Sequence, residues 1–159
     1  MCEGHLNFGT SSTLKGKAKS KIDDLYRLLT DEGHSLVVEN DDIHSFNGRG
    51  ISDLYRLLKT SPDLLRGARV ADKVVGKAAA ALMIIGGVES LFAGIVSKHA
   101  ISLLEEYGVE VKCVQVVPNI INRQKTGLCP MESCCLNCST PAECLVEIEK
   151  QISKLNIKK

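Results

Sequence analysis

Two groups of residues have types and spacings that could do chemistry. The first is Lys73 and Lys77, inside the most apolar stretch of the chain, RVADKVVGKAAAALMIIGGVESLFAGIVS from Arg69 to Ser97. Val74 to Ile85 is almost entirely small or apolar, with one Gly and no Pro, which predicts a helix apolar on every side and therefore buried. Lys73 and Lys77 then share one face of its first turns. Lysine there has the wrong sign for the helix macrodipole. Two ammoniums beside unpaired backbone N–H groups make a place for a phosphate or carboxylate. The alternative is that Asp72 neutralises one lysine while the other reaches water along its stem. A lysine at a buried helix start is also a candidate nucleophile or base, but nothing else in the sequence supplies a partner for that chemistry. On the anion reading, Lys77→Ala weakens anion binding and leaves the fold intact.

The second group is CPMESCCLNCSTPAEC, residues 129–144, which holds five of the seven cysteines. Cys135-Leu136-Asn137-Cys138 is a bare CxxC, half of a zinc or iron–sulfur site, and the candidate metal ligands are Cys134, Cys135, Cys138 and Cys144. The full spacing matches neither a zinc ribbon nor a ferredoxin. Cys144 falls in the first turn of a helix, where the dipole favours a thiolate. Thiol redox chemistry and purely structural cysteines are the alternatives. The odd cysteine count favours reduced thiols or metal over a disulfide framework. His34, His44 and His99 are scattered and suggest no ligand set.

The rest of the composition narrows the partners. A formal net charge of +1 gives no general field for nucleic acid or membrane. The lysines clustered near both ends have no interleaved aromatics, and Trp is absent, so no stacking platform for bases is expected. MCEGHLNFGTSS has no apolar core of a secretory signal. Ala78 to Ser97 is interrupted by Gly86, Gly87 and Glu89, so it reads as helix, break and strand, not a membrane span. A cytoplasmic location follows as an expectation. The expected partner is a small anionic metabolite, with homo-oligomer formation open.

These groups must be positioned by a single domain at 19–159, behind a flexible leader at 1–18. Ser20 to Thr30 carries a helical apolar stripe closed by Gly33. SLVVEN and IHSFNG flank Asp41-Asp42 as a hairpin. Gly48-Arg49-Gly50 leads into the helix ISDLYRLLKT, and a linking turn runs to Ala68. After the buried helix, Glu89 to Ser97 is a strand apolar on both faces, Lys98 to Tyr107 a helix, and Val109 to Val117 a second buried strand. The two strands are expected to be parallel with a right-handed crossover. Asn119 to Gly127 is turn-like, and Ala142 to Leu155 is a final helix. The fold class is α/β, a three-layer α/β/α sandwich with a mixed sheet.

This element order resembles the cytidine deaminase-like fold. VADKVVGKAAA, the Gly-Arg-Gly turn and the later NR before CPME look like the domain-of-unknown-function 1893 family, over about residues 20 to 155. The resemblance implies a deaminase-like fold and no established activity. A zinc deaminase opens its buried helix with His or Cys, then Ala, then Glu, and adds a Pro-Cys-x-x-Cys after the next strand. Here Lys77-Ala78-Ala79 and Ser97-Lys98-His99-Ala100 stand in those places, so zinc-dependent deamination is not expected. The vestigial pocket would instead take an anionic or nucleotide-like ligand. Its candidate residues are Asp72, Lys73, Gly76, Lys77 and Lys98, with Arg49 and Gly50 from the glycine turn, and Cys129, Met131 and Glu132 folding over from the later loop.

Overall fold

A computed structural model describes residues 21–48, 51–121 and 124–157, with side chains to residue 154. The proposed leader at 1–18, and Arg49 and Gly50, lie outside the described residues. Helix α1 (Ile22–Asp31) is followed by the hairpin β1 (Leu36–Asn40) and β2 (Asp42–Phe46), turned at Asp41 in the left-handed region (φ 70). Helix α2 (Ser52–Thr60) and a short 3₁₀ turn (Pro62–Leu64) lead to β3 (Arg69–Val75), α3 (Lys77–Gly86), β4 (Ser90–Ser97), α4 (Lys98–Glu106) and β5 (Glu110–Val117). A short helix α5 (Pro130–Cys135) and α6 (Pro141–Ile157) complete the described chain.

The five strands form one mixed sheet in the order β2-β1-β3-β4-β5. β1 is antiparallel to both β2 and β3, while β3, β4 and β5 run parallel. The expected parallel pair is therefore present, with Ser90 beside Glu110 and Ser97 beside Val117. One sheet face is covered by α1, through Leu25 and Leu29 against Val37 and Ala71. The other carries the main core, where Leu54 and Leu57 of α2 and Ala78 to Met83 of α3 meet Leu36, Val38, Val70 and Leu91. A three-layer α/β/α arrangement results, with α5 and α6 packed over α3. Tyr55 and Lys59 of α2 both hold the Glu149 carboxylate of α6, each at 2.9 Å, and pin that outer helix.

The stretch Arg69–Val75 corrects the sequence reading. It was expected to lead into the buried helix, but it is the strand between β1 and β4. The physical reason is local: Val74 and Val75 are β-branched and suit a pleated surface, and Gly76, extended at φ −103, ψ −174, is the helix N-cap. Lys73 and Lys77 thus belong to different elements and share no helix face. The helix that does form is apolar all round, as expected, with Ala78 to Met83 buried.

Strands β3 and β4 also change phase together. Val70 and Val75 face the same core although they are an odd number of positions apart, and so do Ala93 and Val96. The shift lies at Lys73 and Gly94, where the ladder passes from Asp72–Ala93 to Val74–Ile95. A Cβ on Gly94 would stand 2.7 Å from the Lys73 carbonyl oxygen, so only glycine fits. Asp72 lies before the shift, two positions from Val70, and so shares Val70's face, the one covered by α2 and α3.

Candidate functional site

The carboxyl ends of β3 and β4 open directly onto the first turns of α3 and α4, so their N-termini lie at one edge of the sheet. Helix α3 has no side-chain cap from its own N-cap residue. Its anion comes from far along the chain. The Lys77 backbone N–H donates to Glu132 Oε1 at 2.6 Å, and the Ile120 N–H donates to Glu132 Oε2 at 3.0 Å. Glu132 is only 1% exposed. Its carboxylate complements the positive end of α3 and satisfies a donor that would otherwise be orphaned. Gly76 makes room for it, since a Cβ there would approach Glu132 Oε1 to 2.7 Å.

The Lys77 side chain completes a reciprocal clamp. Its ammonium donates to the Cys138 carbonyl at 2.6 Å and the Leu136 carbonyl at 3.2 Å, at and just past the C-terminal end of α5. Those carbonyls lack helical partners, and a cation suits that end of a helix. One residue of α3 therefore takes a carboxylate through its backbone and the α5 terminus through its side chain. The sequence-predicted Gly76, Lys77 and Glu132 are brought together here. Cys129 occupies the α5 N-cap, with its N–H on the Ile120 carbonyl at 2.9 Å, and Met131 packs half-buried against the main core.

Lys73 and Lys98 are exposed, on β3 and at the start of α4 respectively. Ser97 caps α4 by accepting the Ala100 N–H at 3.2 Å. His99 Nε2 and Asn119 Oδ1 are 2.9 Å apart at the same edge, a pair that no spacing in the sequence announced. Asp72 is buried. Desolvation drives its carboxyl well above the ordinary carboxylate range, and the Asp53 charge adds to this against hydrogen bonds from the Val74 and Lys73 N–H groups. Asp53, also buried, accepts the Gly48 N–H at 2.6 Å and pairs with Arg56 at 3.0 Å. Asp53 was missed because a first-turn Asp reads as an ordinary exposed helix residue.

The cysteines cluster, with the Cys134 and Cys135 sulfurs 3.8 Å apart. Cys134 Sγ donates to the Met131 carbonyl at 3.3 Å and Cys138 Sγ to the Cys134 carbonyl at 4.0 Å, while Cys135 Sγ contacts the Cys144 carbonyl at 3.9 Å. Among the described residues, no three His, Cys, Asp or Glu side chains are arranged to hold a metal ion. A metal site at Cys134, Cys135, Cys138 and Cys144 is thus not favoured. Cys144 lies in the first turn of α6, as expected. Hydrogen bonding from Cys135 lowers its thiol to about 7, with burial opposing and the Cys138 thiol and Lys77 charge assisting. The hydrogen bond to Cys144 and burial push the Cys135 thiol up. No described helix is long and apolar enough to cross a membrane, and 78–97 resolves into α3, a break and β4.

Residues 24–152 match the family model described as a domain of unknown function, DUF1893. The chain belongs to that family. A DUF1893 family protein from Thermotoga maritima, solved by crystallography, superposes with a TM-score of 0.76 at 22% identity, covering 90% of this chain and 99% of that one. That likeness establishes a shared fold. A diaminohydroxyphosphoribosylaminopyrimidine deaminase/5-amino-6-(5-phosphoribosylamino)uracil reductase from the same organism matches at a TM-score of 0.42 and 16% identity, over 57% of this chain and 36% of that one. Such a score is too low to assign the deaminase fold. No curated protein matches the chain.

Proposed function

We propose that this DUF1893 protein binds a small anionic, nucleotide-like metabolite at the edge where β3 and β4 meet α3 and α4, a deaminase-like pocket without deaminase machinery. The observation that carries the reading is the Glu132 carboxylate held by the Lys77 N–H at the head of α3. Backbone at this edge already binds an anion, one supplied by the chain itself. The position also agrees with the general rule that ligands of open α/β sheets sit outside the carboxyl ends of parallel strands. Lys77 acts as a structural clamp in this reading. The charges left for a ligand are the exposed Lys73 and Lys98, and the His99–Asn119 pair offers hydrogen bonds to a neutral polar edge. Ala78 and Ala79 in the first turn of α3 can neither ligate zinc nor move a proton.

The test is calorimetric titration of the full chain with inorganic phosphate and with nucleoside monophosphates. Binding should weaken at least tenfold in Lys73→Ala/Lys98→Ala while the melting temperature stays within about 2 °C, since exposed charges contribute little to stability. No binding by the wild type, or binding indifferent to both lysines, would overturn the proposal.

A further inference from the structure

Among the described helices, α1 alone packs on its face of the sheet, while α2 to α6 all contribute to the core on the other. It lies over β1, β3 and β4, and the sheet continues past it to β5. Asp23, Tyr26, Arg27 and Thr30 recur at i, i+3, i+4 and i+7, so they line one side of α1. Together with Phe92 of β4 and Lys112 of β5 they border an open cleft of about 340 Å³, at the lower end of the size range of small-molecule sites. The chain has three Phe, three Tyr and no Trp, and two of those six aromatics meet here. The Tyr26 and Phe92 rings stack with centroids 4.2 Å apart and planes 7° from parallel. Lys112 Nζ stands 5.4 Å from the Phe92 centroid and donates to Asp23 Oδ1 at 2.6 Å. Arg27 pairs with Asp24 at 3.1 Å. Both ion pairs are open to water, with the Asp23 and Arg27 side chains 48% and 67% exposed. Exposed pairs are worth little, so an incoming anion displaces either carboxylate at small cost.

The cleft thus combines an aromatic wall with an ammonium, a guanidinium and one carboxylate. We propose that it binds a small aromatic carboxylate. The ligand's ring packs against the Tyr26–Phe92 pair. Its carboxylate replaces Asp23 on the Lys112 ammonium and takes the Arg27 fork, whose planar donors match two carboxylate oxygens. A cationic ligand is disfavoured, because the lining holds two cations against one acid. Phosphate would use the charges but leave the aromatic wall idle. Lys73, Lys98 and Glu132 are not part of this lining, so the cleft is separate from the sheet-edge pocket and does not rest on it.

The test is an amide chemical-shift titration of the isotope-labelled full chain with benzoate, acetate and inorganic phosphate. Benzoate should shift the Tyr26, Phe92 and Lys112 amides saturably. At those amides it should bind at least about tenfold more tightly than acetate or phosphate, because only its ring buries apolar surface on the aromatic wall. Lys112→Gln should weaken benzoate at least about tenfold by removing a charged hydrogen bond. Lys73→Ala/Lys98→Ala should leave benzoate binding unchanged. The ligand series uses the wild type alone, so it decides the matter even where Lys112→Gln fails to fold. No saturable shift at the three amides, or acetate or phosphate binding as tightly as benzoate, would refute the proposal. So would benzoate binding that is indifferent to a folded Lys112→Gln, or that is lost with Lys73 and Lys98.

Discussion

Removing the Glu132 carboxylate tests the clamp that organises the sheet edge. In Glu132→Ala, the Lys77 and Ile120 N–H groups lose acceptors at 2.6 and 3.0 Å. A hydrogen bond to a charged group contributes about 1.5–3 kcal/mol, and two give roughly 3–6 kcal/mol before any relaxation. Water entering the vacated space recovers part of this, so a loss of about 4 kcal/mol is expected. At ~2–4 °C per kcal/mol for a domain of this size, the melting temperature should fall by roughly 8–16 °C. Glu132→Gln keeps one acceptor but turns an amide nitrogen toward the second N–H, so its loss should be smaller, about 2–3 kcal/mol. Urea titration gives both differences, and amide hydrogen exchange locates them. Lys77 and Ile120 should exchange faster in Glu132→Ala, with the amides of α1 little affected. A loss below about 1 kcal/mol, or unchanged exchange at those two amides, would refute the account.

Lys77→Met keeps the apolar stem and removes the ammonium, leaving the Leu136 and Cys138 carbonyls without their donor. The expected cost is about 1.5–3 kcal/mol in urea unfolding, contrary to the sequence-based expectation that truncating this lysine spares the fold; an unaltered midpoint would show the clamp to be idle. Asp72 is raised above 3.8 by burial, so the folded protein holds a proton that the unfolded chain releases as pH rises. Its contribution is greatest below that value and declines as pH climbs from about 4 through the raised pKa. Asp72→Asn, a neutral acceptor of the same shape, should flatten this decline, and parallel stability–pH curves for the two proteins would count against it.

Much of the architecture was readable because it follows local periodicity. The all-round apolar run over Ala78–Met83 and the strands on either side of Lys98–Glu106 announced themselves by composition. β3 did not, because its apolar residues run without a break into those of α3, and the boundary is marked only by two valines and Gly76. Helix α5 carried a signal, Pro130 at its first position and Glu132 in its first turn, that the surrounding cysteines obscured. The site was legible in residue type but not in role. Lysine, glycine and glutamate were singled out as ligand-binding residues, whereas the meeting of Lys77 with Glu132 joins segments far apart in sequence. Asp72 lost its expected place when Arg69–Val75 became a strand, in which its two-residue spacing from Val70 turns it to the main-core face.

Helix α3 has no water-tolerant side, and part of its cover is α6, to which it is joined through Cys144 and Ile148 in the core. During synthesis the chain from Gly86 to Pro141 must be made before that cover exists, which at ~5–20 residues/s takes roughly 3–11 s. Through that interval the nascent protein presents an alanine-, leucine- and isoleucine-rich cylinder with nothing charged beyond Lys77 to deter self-association. Ribosome-bound chaperones recognise such segments, so expression yield should depend on their supply more than the finished protein's ordinary surface would suggest.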